Sequence, residues 1–368
     1  MTNVTAAVAR ERTARLNLEQ LRLDEIRDNE VRVRMVASGI CHADALTRDG
    51  VYPTPQPAVL GHEGAGVVES VGRAVSRVRA GDRVVLSAAY CTNCVQCLAG
   101  HTAYCENLFA EDFGGRRGDG STALSTQDGE TVSSHFFGQS SFSTYANVVE
   151  SSVVPVSASA PLETLAPLGC GMQTGAGAVL NDLRPPVGSS FAVTGAGAVG
   201  LAAIMAARVA GCSTVIAVDL HDSRLDLAKE LGATHTVNSR GGDVPAELMR
   251  ITGGKGVNYI LDTTAVPAVL GALPQALAVR GTLALVGSAL AGTEVPFEIG
   301  ASLPKGWTFK TIIQGGAVPQ LFIPRMVDLW EQGRFPFDKL IKHYAFADIN
   351  TAFADSASGA TVKPVVLF

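Results

Sequence analysis

Between about residues 30 and 150 the hydrophobic positions fall in short alternating runs, VRVRMVA and GAGVVESV among them, broken by Gly, Pro and Asp. A period of two belongs to strands with one face on a core, and the breakers mark turns, so this half is predicted to be mostly β. Near residue 190 the pattern changes. The apolar run FAVTG leads into the helical stretch AVGLAAIMAARVA, then a second apolar run STVIAVD, a charged helix DSRLDLAKELG and a short strand ATHTVN. Apolar runs alternating with helices are βαβ units, with strands covered on both faces. VNYILDTT and GTLALVG continue the series, so a doubly wound parallel sheet is expected over residues 172–313. Beyond it, QLFIPRMVDLWEQGRFPF is a helix stopped by glycine and proline, and KPVVLF is a closing strand. The last segment, 314–368, is small for a core of its own. It is expected to return to the first domain, 1–171, giving an α/β chain of two domains.

Composition narrows the function. With 47% hydrophobic and 17% charged residues the 368-residue chain is globular, and a net charge of −5 without a basic run excludes the electrostatic footprint of a nucleic-acid binder. Charges at Arg10, Glu11, Arg12 and Arg15 interrupt any export signal. The longest uncharged apolar region, residues 191–207, is cut by glycines and short for a membrane span. A cytoplasmic protein with a small-molecule partner, and neither nucleic acid nor membrane, is the expectation.

Seven cysteines, an odd number, fit a secreted disulfide framework poorly, and four of them crowd into CTNCVQCLAGHTAYC. Cys91, Cys94, Cys97 and Cys105 satisfy a tetrahedral zinc completely and leave no open position, so the site is expected to be structural. An iron–sulfur cluster competes, but the proline that follows the bacterial ferredoxin run is absent. Disulfides or free thiols are the other reading. A second chemistry lies at Gly195–Gly200, GAGAVG, which follows a strand, opens a helix through Val199 and leads to a strand ending in Asp219. This is the dinucleotide fingerprint in its structural context. Gly195 serves the tight turn, Gly197 the approach of the pyrophosphate and Gly200 helix–sheet packing, while Asp219 would bind ribose hydroxyls and favour NAD over NADP.

Cys41 in GICHAD, His62 in GHE and Cys170 in PLGCGMQTGAG are too scattered for any spacing rule to unite them. Taken singly, each is as well explained by a buried thiol or a satisfied core histidine. Their order is what matters: GICHAD, LGHEGAGVVESVG, the four-cysteine loop, GAGAVG and the closing VKPVVLF together resemble the zinc-dependent medium-chain alcohol dehydrogenases over essentially the whole chain. That resemblance implies a GroES-like catalytic domain carrying both zinc sites, a Rossmann domain and a homodimer or homotetramer. It implies a catalytic zinc on Cys41, His62 and Cys170, with Glu63 behind the metal and Asp44 accepting a hydrogen bond from the histidine. It also implies His42 and Lys363 at the pyrophosphate, Arg224 at the adenosine ribose and Thr174 at the nicotinamide. For Arg224 and Lys363 a solvated charge is the plain alternative.

The implied reaction is hydride transfer between an alcohol and NAD in the cleft between the domains, with two zinc ions per chain. Members of the family usually carry Ser or Thr two residues after the first zinc-ligating cysteine, and a histidine three residues further, to carry the alcohol proton away. Here these positions are Ala43 and Leu46. Either water or His42 moves the proton, or turnover is slow, or the reaction is reduction of an iminium or conjugated C=C bond; a silent NAD-binding scaffold or sensor is the remaining class. FFGQSSFSTYA and PLGCGMQTGAG resemble the aryl and allylic alcohol branch, and Ser87, near a pocket position of relatives, points to room for a bulky apolar group.

Overall fold

The structure, a computed structural model, describes residues 1–13 and 15–368. The chain divides into two compact units, one of residues 1–170, 318–327 and 338–368, the other of residues 171–317 and 328–337.

The first unit holds a five-stranded and a seven-stranded sheet. In the strand Glu30–Gly39 the alternation works as its pattern predicts: Val31, Val33, Met35 and Ala37 are all buried. Arg32, on the opposite face, is buried as well, because its guanidinium reaches Asn147 Oδ1 at 3.1 Å and Thr2 Oγ1 at 3.0 Å. The closing strand Lys363–Leu367 lies antiparallel to Glu30–Gly39, with Val365 opposite Gly39, and parallel to Ile341–Ala345. The C-terminal segment thus supplies two strands of the first unit's larger sheet. Wholly buried Phe136 and Phe142 join Leu60 and the strand Thr2–Ala9 in the main core, each phenylalanine contributing about 1.5–3 kcal/mol by its buried area.

The second unit is built on a six-stranded sheet in the order His235–Asn238, Thr214–Asp219, Ser190–Thr194, Val257–Asp262, Leu277–Leu285, Thr308–Thr311, every pair parallel. Chain order reverses beside Ser190–Thr194, which puts a switch point between it and Val257–Asp262. Ala192, Ile216, Ile260 and Leu283 form the core beneath. The helix Ala198–Val209 is buried along nearly its whole length because its side chains are small: a Cβ on Gly200 would stand 1.9 Å from the carbonyl oxygen of Gly195. Residues 328–337 side with this unit, where Phe335 and Phe337 are fully buried.

Candidate active site and cofactor site

The sequence CHAD folds as a capping box. Cys41 is the N-cap of the helix His42–Arg48, and Asp44, three residues on, returns its Oδ2 to the Cys41 backbone N–H at 2.9 Å. The other oxygen is then free to face GHE. Asp44 Oδ1 accepts the Gly61 N–H at 3.1 Å and lies 2.8 Å from His62 Nδ1, with both side chains of that pair fully buried. Gly61 turns the chain inward at φ +91°, where a Cβ would stand 2.6 Å from the Phe142 backbone nitrogen, so only glycine fits. The bond to Asp44 commits Nδ1 and leaves Nε2, which among the described residues has no hydrogen-bond partner. Cys170 follows the turn Ala166–Gly169, and the ligand atoms of Cys41, His62 and Cys170 all lie within 4.8 Å of one another.

Electrostatically this pocket calls for a cation. Sharing a hydrogen with Cys170 holds the Cys41 thiol well below its usual range, and the same contact pushes Cys170 well above it. Burial works against charge on His62, yet the Asp44 carboxylate and the Cys41 thiolate outweigh it and hold the imidazole well above its usual range. Behind the ligands, the fully buried Glu63 meets Lys363, whose Nζ donates to Oε1 at 3.0 Å, to Oε2 at 2.9 Å and to the Ile40 carbonyl at 3.1 Å. Burial lowers the Lys363 pKa, but the Glu63 carboxylate reverses the sign and raises it.

In the four-cysteine loop, Cys94 caps the helix Val95–Leu98 and accepts the N–H groups of Cys97 at 3.4 Å and Glu106 at 3.5 Å, while Cys105 accepts that of Cys91 at 3.4 Å. A tetrahedron with metal–sulfur bonds of about 2.3 Å has edges of about 3.8 Å. Cys91 Sγ and Cys97 Sγ lie 4.0 Å apart, all four sulfurs lie within 4.8 Å, and none of the four is in a disulfide. Both clusters therefore fit a metal ion, the loop with four thiols and the buried site with two thiols and an imidazole nitrogen.

In the second unit the three fingerprint glycines differ in what surrounds them. Gly195 has φ +88° and a Cβ there would meet Thr263 Oγ1 at 2.3 Å; Gly200 is closed by packing; Gly197 faces open space, with nothing within 4 Å. The backbone at Gly197 is thus the one free for a ligand to approach. Asp219 ends its strand and accepts the Ala196 N–H at 2.7 Å and the His221 N–H at 2.8 Å, which anchors its carboxylate beside the turn. Arg224 is half-buried, its pKa lowered by burial against the pull of Asp219. Val199 and Thr174 are partly buried, and His42, in the first unit, is exposed.

Two family models match the chain, the alcohol dehydrogenase GroES-like domain over residues 27–158 and the zinc-binding dehydrogenase over residues 198–331. A geraniol dehydrogenase of Castellaniella defragrans is 43% identical over 365 residues, covering 99% of this chain and 97% of that one. The chain is a zinc-dependent medium-chain alcohol dehydrogenase. Among solved structures, a zinc-binding-domain alcohol dehydrogenase from Burkholderia ambifaria is 52% identical, with a TM-score of 0.98 over 100% of this chain and 99% of that one. The benzyl alcohol dehydrogenase of Acinetobacter calcoaceticus is 45% identical, with a TM-score of 0.97 over 100% of both chains.

Several residues of this dehydrogenase depart from their sequence expectation. Lys363 is no solvated charge: its side chain is 3% exposed and its ammonium is engaged by Glu63 and Ile40, not presented at a surface. Ser87 is fully buried and donates its hydroxyl to the Gly169 carbonyl at 2.7 Å, so it serves a structural bond as well as its pocket position. Beside Ala43, the Thr47 Oγ1 donates to the Ala43 carbonyl at 2.8 Å. Phe137 stacks on the His62 ring at 4.3 Å between centroids and Phe136 meets its edge at 5.5 Å. Neither ring, nor the buried Gln139 beside them, carries a spacing that marks it in the sequence.

Proposed function

We propose that this dehydrogenase passes hydride between NAD(H) and a primary aryl or allylic alcohol or its aldehyde. In this reading Cys41, His62 and Cys170 hold a catalytic zinc, and Cys91, Cys94, Cys97 and Cys105 hold a structural one. The observation that carries the metal site is the buried His62 Nε2, which lacks a hydrogen-bond partner among the described residues and lies with two thiols. The substrate class is supported by near-full-length similarity to a protein named geraniol dehydrogenase and a structure named benzyl alcohol dehydrogenase. When bound, a three-ligand zinc supplies a Lewis acid with one open position, and NAD supplies the hydride acceptor.

The chain's own residues do the rest. Asp44 fixes the tautomer and ring of His62, and the Phe137 stack limits its rotation. The open backbone at Gly197 admits the pyrophosphate, and the anchored Asp219 carboxylate accepts from ribose hydroxyls and repels a phosphate in their place. With alanine at position 43, and the hydroxyl of Thr47 committed to a backbone carbonyl, water or the exposed His42 next to Cys41 takes the proton to solvent.

Among the described residues no helix is long and apolar enough to cross a membrane. The edge strand Thr308–Thr311 has all four residues exposed, and with Phe297, Val295 and Leu283 it borders a mainly apolar cavity of about 550 Å³. An open parallel-sheet edge beside apolar surface favours pairing with a second copy, and Phe309→Glu should shift the protein towards monomer in sedimentation. The reaction is tested by NADH absorbance with benzyl alcohol, cinnamyl alcohol and geraniol, and with the aldehydes in reverse. Higher kcat/KM for these than for ethanol is expected; no turnover with any of them refutes the substrate assignment.

A further inference from the structure

The three candidate ligands come from segments with no sequence contact, and Asp44 ties only two of them, Cys41 and His62. What joins the third is a buried amide and a buried hydroxyl. Gln139 Nε2 donates to the carbonyl of His62 and to the carbonyl of Ser87, both at 3.0 Å, and its Oε1 accepts the Gly64 N–H at 3.1 Å. Two acceptors face the nitrogen and one donor faces the oxygen, so the orientation of the amide is forced. Ser87 then donates its Oγ to the carbonyl of Gly169, the residue before Cys170, at 2.7 Å. Gln139 and Ser87 are both fully buried.

We propose that Gln139 and Ser87 are positioning residues that set the separation of the His62 and Cys170 ligands, acting as one continuous brace from the His62 carbonyl to the Gly169 carbonyl. The loop that delivers Gln139 is built for placement. His135, Phe137 and Ser140 hold positive φ at +61°, +50° and +53°, a backbone that non-glycine residues adopt only where the surroundings force it. Ser140 is itself pinned at both ends, its Oγ donating to the Val59 carbonyl and accepting the Phe136 N–H. A glutamine serving only to fill space would not need two bonds to the His62 segment and a third to the Ser87 carbonyl, and leucine or methionine would fill the same volume. The bonds of Gln139 to His62 and of Ser87 to Gly169 are made to backbone carbonyls, so the brace acts through the backbone positions of His62 and Cys170.

The inference rests on the assignment of Cys41, His62 and Cys170 as a zinc site. The four-cysteine loop supplies an internal control, because it lies outside the brace. Zinc-loaded wild-type, Gln139→Met and Ser87→Ala proteins are challenged with a chelator, and release is followed with a zinc-sensitive dye; Cys170→Ser identifies the phase of the buried site. Two equivalents are expected from wild type. Release from the buried site should be about tenfold faster or more in each variant, within the range seen when outer partners of metal ligands are removed, with the four-cysteine phase unchanged. The double variant should be no faster than the faster single, as links in series require. Cobalt in the buried site should show shifted visible bands in both variants, a readout that loss of general stability does not move. A wild type with no zinc phase that Cys170→Ser abolishes overturns the buried-site assignment and the brace with it. Two equivalents with wild-type release in the variants, or equal acceleration of both phases, overturns the brace alone. If Gln139→Met does not fold, Ser87→Ala, which removes a single donor, decides the question.

Discussion

Replacing Lys363 by methionine isolates the energetics of the charge behind the candidate zinc site. The change keeps most of the side-chain volume and removes an ammonium bonded to both Glu63 oxygens, at 2.9 and 3.0 Å, and to the Ile40 carbonyl at 3.1 Å. Side-chain exposure is 3% for Lys363 and zero for Glu63, so water cannot take over these bonds. Removing one partner of a buried pair costs about 3–5 kcal/mol, because the other is left charged without its counter-ion. Glu63→Gln in the same chain removes that stranded charge, and the double variant should recover to within about 1–2 kcal/mol of wild type. The readout must belong to the first unit. Both tryptophans, Trp307 and Trp330, lie in the second, so their fluorescence is the wrong probe. Amide exchange at Val365, in the strand that Lys363 opens, reports opening of the affected sheet directly. A Lys363→Met cost below about 1 kcal/mol, or a double variant no more stable than the single, refutes the reasoning.

Acid stability should depend on Glu30. Burial pushes its carboxyl up, but hydrogen bonds from His135 and Arg117 outweigh it and bring it down to about 2 from a usual 4.5. A lowered folded pKa gives stability that is present above about pH 4.5 and lost as pH falls towards 2, here about 3 kcal/mol; in Glu30→Gln that part of the pH–stability curve should be flat, and an unchanged curve refutes the assignment. Asp219→Ser should cut kcat/KM for NAD by about tenfold and raise it for NADP, measured with saturating alcohol; unaltered preference removes Asp219 from the ribose. Ala43→Thr should raise alcohol oxidation, since general acid–base help is typically worth about 10²–10⁴ in rate; a lower rate means that the proton already has an efficient path. Cys97→Ser should lose one zinc equivalent and lower the melting temperature while the buried site keeps its metal, as metal analysis of the purified variant will show.

The fold was largely legible because its signals are local. Strand alternation in VRVRMVA, the apolar runs of the βαβ units and GAGAVG each lie within one or two elements, where backbone periodicity and steric demands act directly on neighbouring residues. The four-cysteine loop is legible for the same reason, its ligands being close along one loop. CHAD also carries its own geometry, since a capping residue and an acid three positions later close a capping box, and that box leaves one Asp44 oxygen for His62.

The rest of the site was not legible, because the bonds that build it span the chain and use groups of no distinctive chemistry. Glu63 and Lys363 are 300 residues apart, Gln139 and the His62 carbonyl 77, and Ser87 and the Gly169 carbonyl 82. A lysine beside a closing strand looks like a surface charge until the sheet pairs that strand with Glu30–Gly39 and encloses its side chain. A serine at a pocket position looks like missing bulk until its hydroxyl finds a carbonyl. The positive-φ turn at His135, Phe137 and Ser140 has no glycine or asparagine at those three positions to announce it, and it is this turn that carries Gln139 to the ligand segments. Two kinds of information are therefore separable here. Cys41, His62 and Cys170 say which atoms could meet a metal, whereas an amide, a hydroxyl and a carboxylate hold the segments that carry them. On the proposed brace, a chain that keeps Cys41, His62 and Cys170 and loses Gln139 or Ser87 retains the motif but should release zinc from the buried site faster.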